Sequence, residues 1–146
     1  MNKQNLIIIP IVFTWIGFVC AISFMEAWLK FQAPGITIPL GLGIGRLVFQ
    51  ALNKVEWVCL FSITSIYLIS PKTKWSSSII LLLIAILLTQ TFYLLPFLGQ
   101  RATAIIAGHI EAPSTLHIVY IISEVVKVVC LFLLGINILR KTTVLD

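Results

Sequence analysis

The chain has 146 residues, 60% of them apolar and 10% charged, with a formal net charge of +5 and a mean hydropathy of +1.09. Soluble domains carry roughly 25% charged residues to cover their surface, so this composition excludes an ordinary soluble domain and asks for lipid around it. The basic excess does not point to nucleic acid, because Lys and Arg are few and mostly flank apolar segments.

In chain order, the first apolar stretch covers about 6–29. It exceeds the 7–15 residues of a signal-peptide core, and Val19 before Cys20 makes a poor lipoprotein site, so a retained helix is expected. A Pro- and Gly-rich loop, "FQAPGITIPLGLGIG", follows. Its end, "GLGIGR" from Gly41 to Arg46, reads either as an anion cradle opening a helix or as closely packed apolar loop. No strand precedes it and no Lys-Ser/Thr follows, so it is not a nucleotide loop. The second span is expected at about 46–70, then a short basic loop at 71–77, and a third span at about 78–98. A second long loop leads to the fourth span at about 116–139, with Ser114 or Thr115 as its N-cap.

Crossing a hydrocarbon core takes about 20 residues of helix, and backbone groups in lipid must bond within their own segment. The expected fold is therefore all-α: a single polytopic membrane domain forming a four-transmembrane-helix bundle. Lys3, Lys72, Lys74, Arg140 and Lys141 fall at the termini and middle loop, against Lys30, Arg46 and Arg101 near the other loops. The positive-inside rule then puts both termini in the cytoplasm, of a bacterial inner membrane. Trp28, Trp57 and Trp75 are expected near the interfaces.

A shift of 71 residues lays "VEWVCLF" (Val55 to Phe61) over "VKVVCLF" (Val126 to Phe132) without a gap, and Lys30 over Arg101. Two parallel helical-hairpin repeats, about 6–70 and 77–141, are expected from this.

The shift also superimposes Arg46 on His117, Asn53 on Glu124, and Glu56 on Lys127. Each set is spaced i, i+7, i+10, which keeps it within about 80° on a helix of 3.6 residues per turn. Phe49, Gln50 and Tyr120 join these stripes, while Lys54 points away and snorkels. Buried charge in a membrane costs about 2.5–3.5 kcal/mol at the centre of a span, so the stripes should face one another, in the outer half of the bilayer. Glu56 pairs most simply with Lys127, Asn53 meets Glu124 one turn outward, and Arg46 meets His117 near the surface. Glu26, Lys30, Arg101 and His109 form a rim, and Gln90 reaches the same layer from the third helix.

His117 with Glu124, or His109 with Glu111, lacks a compact metal-binding spacing, so no metal is expected. Haem ligation by His117 alone is disfavoured, no cofactor is expected, and no catalytic triad or nucleophile elbow is found. Cys20, Cys59 and Cys130 read as small buried hydrophobes. A relay through His117, Glu124 and Glu56 suits protons, since His titrates near neutral pH.

Three functions fit these residues. One is binding or transport of a proton or small polar solute, with a homodimer needed to enclose a pathway. Another is an enzyme or redox accessory acting on a lipid or quinone. The last is an accessory subunit of a membrane complex, its stripe satisfied by another protein. The plain alternative to all three is a structural ion pair that fixes helix packing.

Overall fold

A computed structural model describes residues 3–69, 74–110 and 114–143. The described residues are all-helical, without a strand. Four continuous helical runs, α1 to α4, contain the segments Leu6–Gln32, Ile38–Ile69, Ser76–Ile106 and Leu116–Arg140, each long and apolar enough to cross a membrane. At 1.5 Å per residue, the 32 residues of α2 extend about 48 Å. That exceeds a hydrocarbon core of about 30 Å, so the helix ends reach the headgroup region. The helices alternate in direction and pack as a ring, with α1 against α2 and α4, and α3 against the same two. Lys72 and Glu111 lie outside the described residues.

The polarity of the bundle is the reverse of a soluble protein's. Leu47, Val58, Phe61, Leu81, Phe92 and Ile122 are exposed, whereas Glu56, Glu124 and Lys127 are buried. Lipid accepts the first group, and only protein partners accept the second.

Two helices run farther than their apolar content suggests. Helix α2 starts at Ile38 rather than near Arg46. There Thr37 accepts the Leu40 N–H through its hydroxyl (3.4 Å), and Pro39 sits in the first turn, where no N–H is required. The glycines of "GLGIGR" therefore lie inside a helix, neither in a loop nor at a helix start. A Cβ at Gly41 would overlap the Phe31 ring, and one at Gly45 would lie 3.0 Å from Lys30 Nζ. Close contact with the end of α1 offsets the roughly 1 kcal/mol that each glycine costs in a helix interior. Helix α3 runs on to Ile106, beyond the expected end near residue 98. It stops at Gly108, whose φ of 86° is left-handed. Its N–H bonds to Ile105 O and that of His109 to Ala104 O, closing a Schellman turn. As expected, Ser114 caps α4, accepting the Leu116 N–H at 3.2 Å.

Both odd-numbered helices widen near their middles. A π segment occupies Cys20–Glu26 in α1 and another occupies Gln90–Leu94 in α3. Such wide turns within α-helices are rare and concentrate at functional sites.

Toward the chain termini the interior is apolar, filled by Ile8, Val12, Ile63, Leu83, Leu131 and Leu134. Helices α1 and α4 meet closely where Gly135 leaves room for Phe13 and Val12, which a Cβ there would approach at 3.4 Å. Small residues permit such approaches between membrane helices. Gly135→Ala should therefore leave thermal stability in detergent nearly unchanged, whereas Gly135→Leu should lower the melting temperature sharply, by forcing α1 from α4. A fluorescence-detected melt of both variants checks this.

A buried ion cluster beneath a basic cavity

Every helix contributes to one polar cluster. Lys127 of α4 donates from Nζ to Glu56 of α2 and to Glu124 Oε1, one turn away on its own helix, at 3.0 Å. Trp15 of α1 donates its indole N–H to Glu56 Oε1 at 3.0 Å. Gln90 of α3 donates from Nε2 to Glu124 Oε1 at 2.8 Å and to Ser123 Oγ at 2.7 Å. The side chains of Glu56, Glu124 and Lys127 are 1%, 0% and 0% exposed. A second node lies beside it, where Asn53 Nδ2 and Trp57 Nε1 both donate to Thr91 Oγ1, at 3.0 and 2.9 Å.

The stripes face one another, but their pairing departs from the expected one below Glu56. Asn53 meets Thr91 rather than Glu124, because Glu124 is drawn toward Lys127 and Gln90. Arg46 does not bond to His117; its Nη1 donates to Thr103 Oγ1 of α3 at 2.8 Å. Lys127 sits near the midpoint of Leu116–Arg140, and Gln90 near that of Ser76–Ile106. The layer thus lies midway along the helices rather than toward one end. Trp57, expected near an interface, lies near the middle of α2 and bonds inward to Thr91. Lys54 is exposed, as its position off the stripe implies.

Toward the end of the bundle away from the termini, hereafter the distal end, the helices enclose a cavity of about 330 Å³. Phe31, Leu42, Phe49, Leu95, Leu98 and Ile105 supply apolar wall, and Lys30, Arg46, Arg101, His117, Gln50 and Tyr120 supply the polar part. No carboxylate is among the described lining residues. Glu26 stands just behind, bonded to Lys30 at 3.1 Å. The Lys30 ammonium also lies 5.3 Å and 5.6 Å from the Phe31 and Phe49 ring centres, within cation–π range. Phe49 and Tyr120 meet edge to face, with centroids 5.3 Å apart. Tyr120 lines the cavity and neighbours Glu124 and Ser23, so this aromatic pair stands between the cavity and the cluster. On the other side of Arg46 a shallow groove is bounded by Gln50, Gly99, Thr103 and the exposed His109.

No model of a known protein family matches the chain, nor does any curated protein or any solved structure.

Of the residues singled out in the sequence, Glu56, Glu124, Lys127 and Gln90 come together at the cluster, and Asn53 stands beside it. Arg46, His117, Tyr120, Lys30 and Arg101 come together at the cavity, and His109 stays outside both. The sequence reading missed Trp15, Ser23, Thr91, Ser123 and Thr103. Trp15 is the most consequential, being fully buried. Its position midway along an expected span, away from either interface, was a usable signal. Among the described residues no three His, Cys, Asp or Glu side chains converge as metal ligands would.

Removing one partner of a buried ion pair costs about 3–5 kcal/mol, whereas removing all partners together costs far less. Lys127→Met should therefore abolish or severely lower the yield of folded protein. Combining it with Glu56→Gln and Glu124→Gln should restore most of the melting temperature, as read by size-exclusion chromatography and thermal melts.

Proposed function

We propose that this protein binds an anionic amphiphile, a lipid or fatty acid with a phosphate or carboxylate head, in the distal cavity. The observation that carries this reading is one cavity uniting apolar walls with three cationic side chains, Lys30, Arg46 and Arg101, and no carboxylate among its described lining residues. Ligand sites are typically concave, mostly apolar clefts with a few placed polar groups, and begin near 300 Å³. A volume of about 330 Å³ suits a headgroup with the first part of a chain. Basic pockets between membrane helices are a recurrent way to hold anionic headgroups. Arginine is well suited to the task, because its planar fork matches carboxylate and phosphate oxygens. In this reading the ion cluster is the fixed floor beneath the site, and Phe49 and Tyr120 are its lid toward the interior. A transport role would use the same cavity as its entrance, with that aromatic pair as the barrier.

The distal end faces outward in this proposal and the termini face the cytoplasm, in a bacterial inner membrane, as the basic residues near the termini and middle loop favour. The chain is further proposed to be a duplicated hairpin. The shift of 71 residues supports this: it relates Glu56 to Lys127 and Phe49 to Tyr120, which are contact pairs, and it overlaps the two π segments.

Native mass spectrometry of protein in a neutral detergent tests the ligand. Anionic phospholipids or fatty acids should be retained over phosphatidylcholine. Loss of a charge-assisted hydrogen bond is worth about 1.5–3 kcal/mol, so the Arg46→Gln, Arg101→Gln double variant should weaken retention at least tenfold. Equal retention of zwitterionic and anionic lipids, or an unchanged double variant, rejects the reading. For orientation, a fluorescent protein fused after Asp146 should be bright and an export-dependent phosphatase fused there inactive; the opposite pattern inverts the topology.

A further inference from the structure

The cluster at the centre of the bundle is unbalanced in two ways that the ligand cavity does not explain. Its charges are two carboxylates against one ammonium, so with every group ionised it carries one net negative charge midway along four apolar helices. Its hydrogen bonds are unevenly shared as well. Glu56 Oε1 accepts from Lys127 and Trp15, and Glu124 Oε1 accepts from Lys127 and Gln90. Glu124 Oε2 is buried and accepts from nothing. A buried carboxylate oxygen left without a donor forfeits its hydration with no return.

We infer that the cluster is a proton-binding site, holding one exchangeable proton on Glu124 Oε2. The proton comes from water and adds to the carboxylate oxygen, and its departure restores the anion. With it bound, the cluster is neutral, and Oε2 becomes a donor rather than an orphaned acceptor. Acceptors stand nearby. Gln90 Oε1, on the amide that already binds Glu124, is buried and unpartnered. So is Ser23 Oγ, beside Tyr120. The groups facing Glu124 are Lys127, Tyr120 and Ser123 from α4, Glu56 from α2 and Gln90 from α3, with Ser23 of α1 behind Tyr120. Of these only Lys127 and Glu56 carry charge, and they cancel. Cys59 lies one turn beyond Glu56, toward the termini. Access is one-sided. Toward the termini the core is closed by Leu131, Leu134 and Ile63, while toward the distal end only Tyr120 and Phe49 intervene before the cavity. The proton therefore exchanges through the distal side.

Infrared spectroscopy of the full-length protein in lipid tests this without reference to any cavity ligand. At pH 7 the wild type should show the C=O stretch of a neutral carboxyl group that shifts in heavy water. Glu124→Gln and Glu56→Gln should each abolish it, since either leaves one carboxylate for one lysine. Tyr120→Phe, a milder change beside Glu124, should move its frequency, whereas Trp15→Phe, beside Glu56, should not. Absence of a neutral carboxyl at pH 7, its survival in Glu124→Gln, or a shift caused by Trp15→Phe alone overturns the assignment. So does melting that depends on sodium concentration and not on pH.

Discussion

The Lys127 ammonium, held between Glu56 and Glu124 and cut off from solvent, sets how the four helices face one another. An apolar helix surface is indifferent to rotation in lipid, because hydrocarbon neighbours are alike on every side. A buried charge is not indifferent. Lys127 commits α4 to one orientation, Glu56 commits α2, and the bonds from Trp15 and Gln90 commit α1 and α3. Once those angles are set, the apolar core toward the termini and the cavity toward the distal end follow from which residues share each face. The cluster does not have to add much net stability to have this effect, since desolvation offsets much of a buried pair's attraction. Its weight lies in the penalty it imposes on every other arrangement.

The cavity and the cluster are separated by a single aromatic layer, and Tyr120 belongs to both. Its ring closes the cavity toward the interior against Phe49, while its hydroxyl end approaches Glu124 and Ser23. A ligand that displaced this ring would alter the surroundings of Glu124, and the charge state of the cluster would in turn alter how firmly the ring is held. Thermodynamic linkage requires any such influence to be equal in both directions.

Much of this was legible in the sequence. Four spans, the facing stripes and the pairing of Glu56 with Lys127 follow from length, from the 3.6-residue period and from the cost of unpaired charge in lipid. The full lengths of α2 and α3 were not legible, because hydropathy undercounts a helix whose end is rich in Gly and Pro. Thr37 and Pro39 start α2 before the apolar pattern begins, and the Gly108 turn ends α3 after it fades. The partners of the stripe were hidden for another reason. Thr91, Ser123 and Thr103 bond back to carbonyls of their own helices, a routine habit of hydroxyl side chains in apolar segments. Nothing in the sequence separates those that also reach across to another helix. Nor does the sequence announce the π segments, which carry the buried Ser23 and Gln90.

Those wide turns bear on how such a chain can change over generations. In a soluble protein, a residue gained within an element is readily pushed out into a loop. A helix pinned at its centre by a buried charge cluster, with both ends in the headgroup region, has no such outlet. A π turn takes up the surplus residue on the spot and leaves the faces above and below in register. The segments at Cys20–Glu26 and Gln90–Leu94 already wind in this way. Elsewhere in either helix, an added or lost residue would turn one half by about 100° and bring lipid-facing side chains onto the cluster or the cavity.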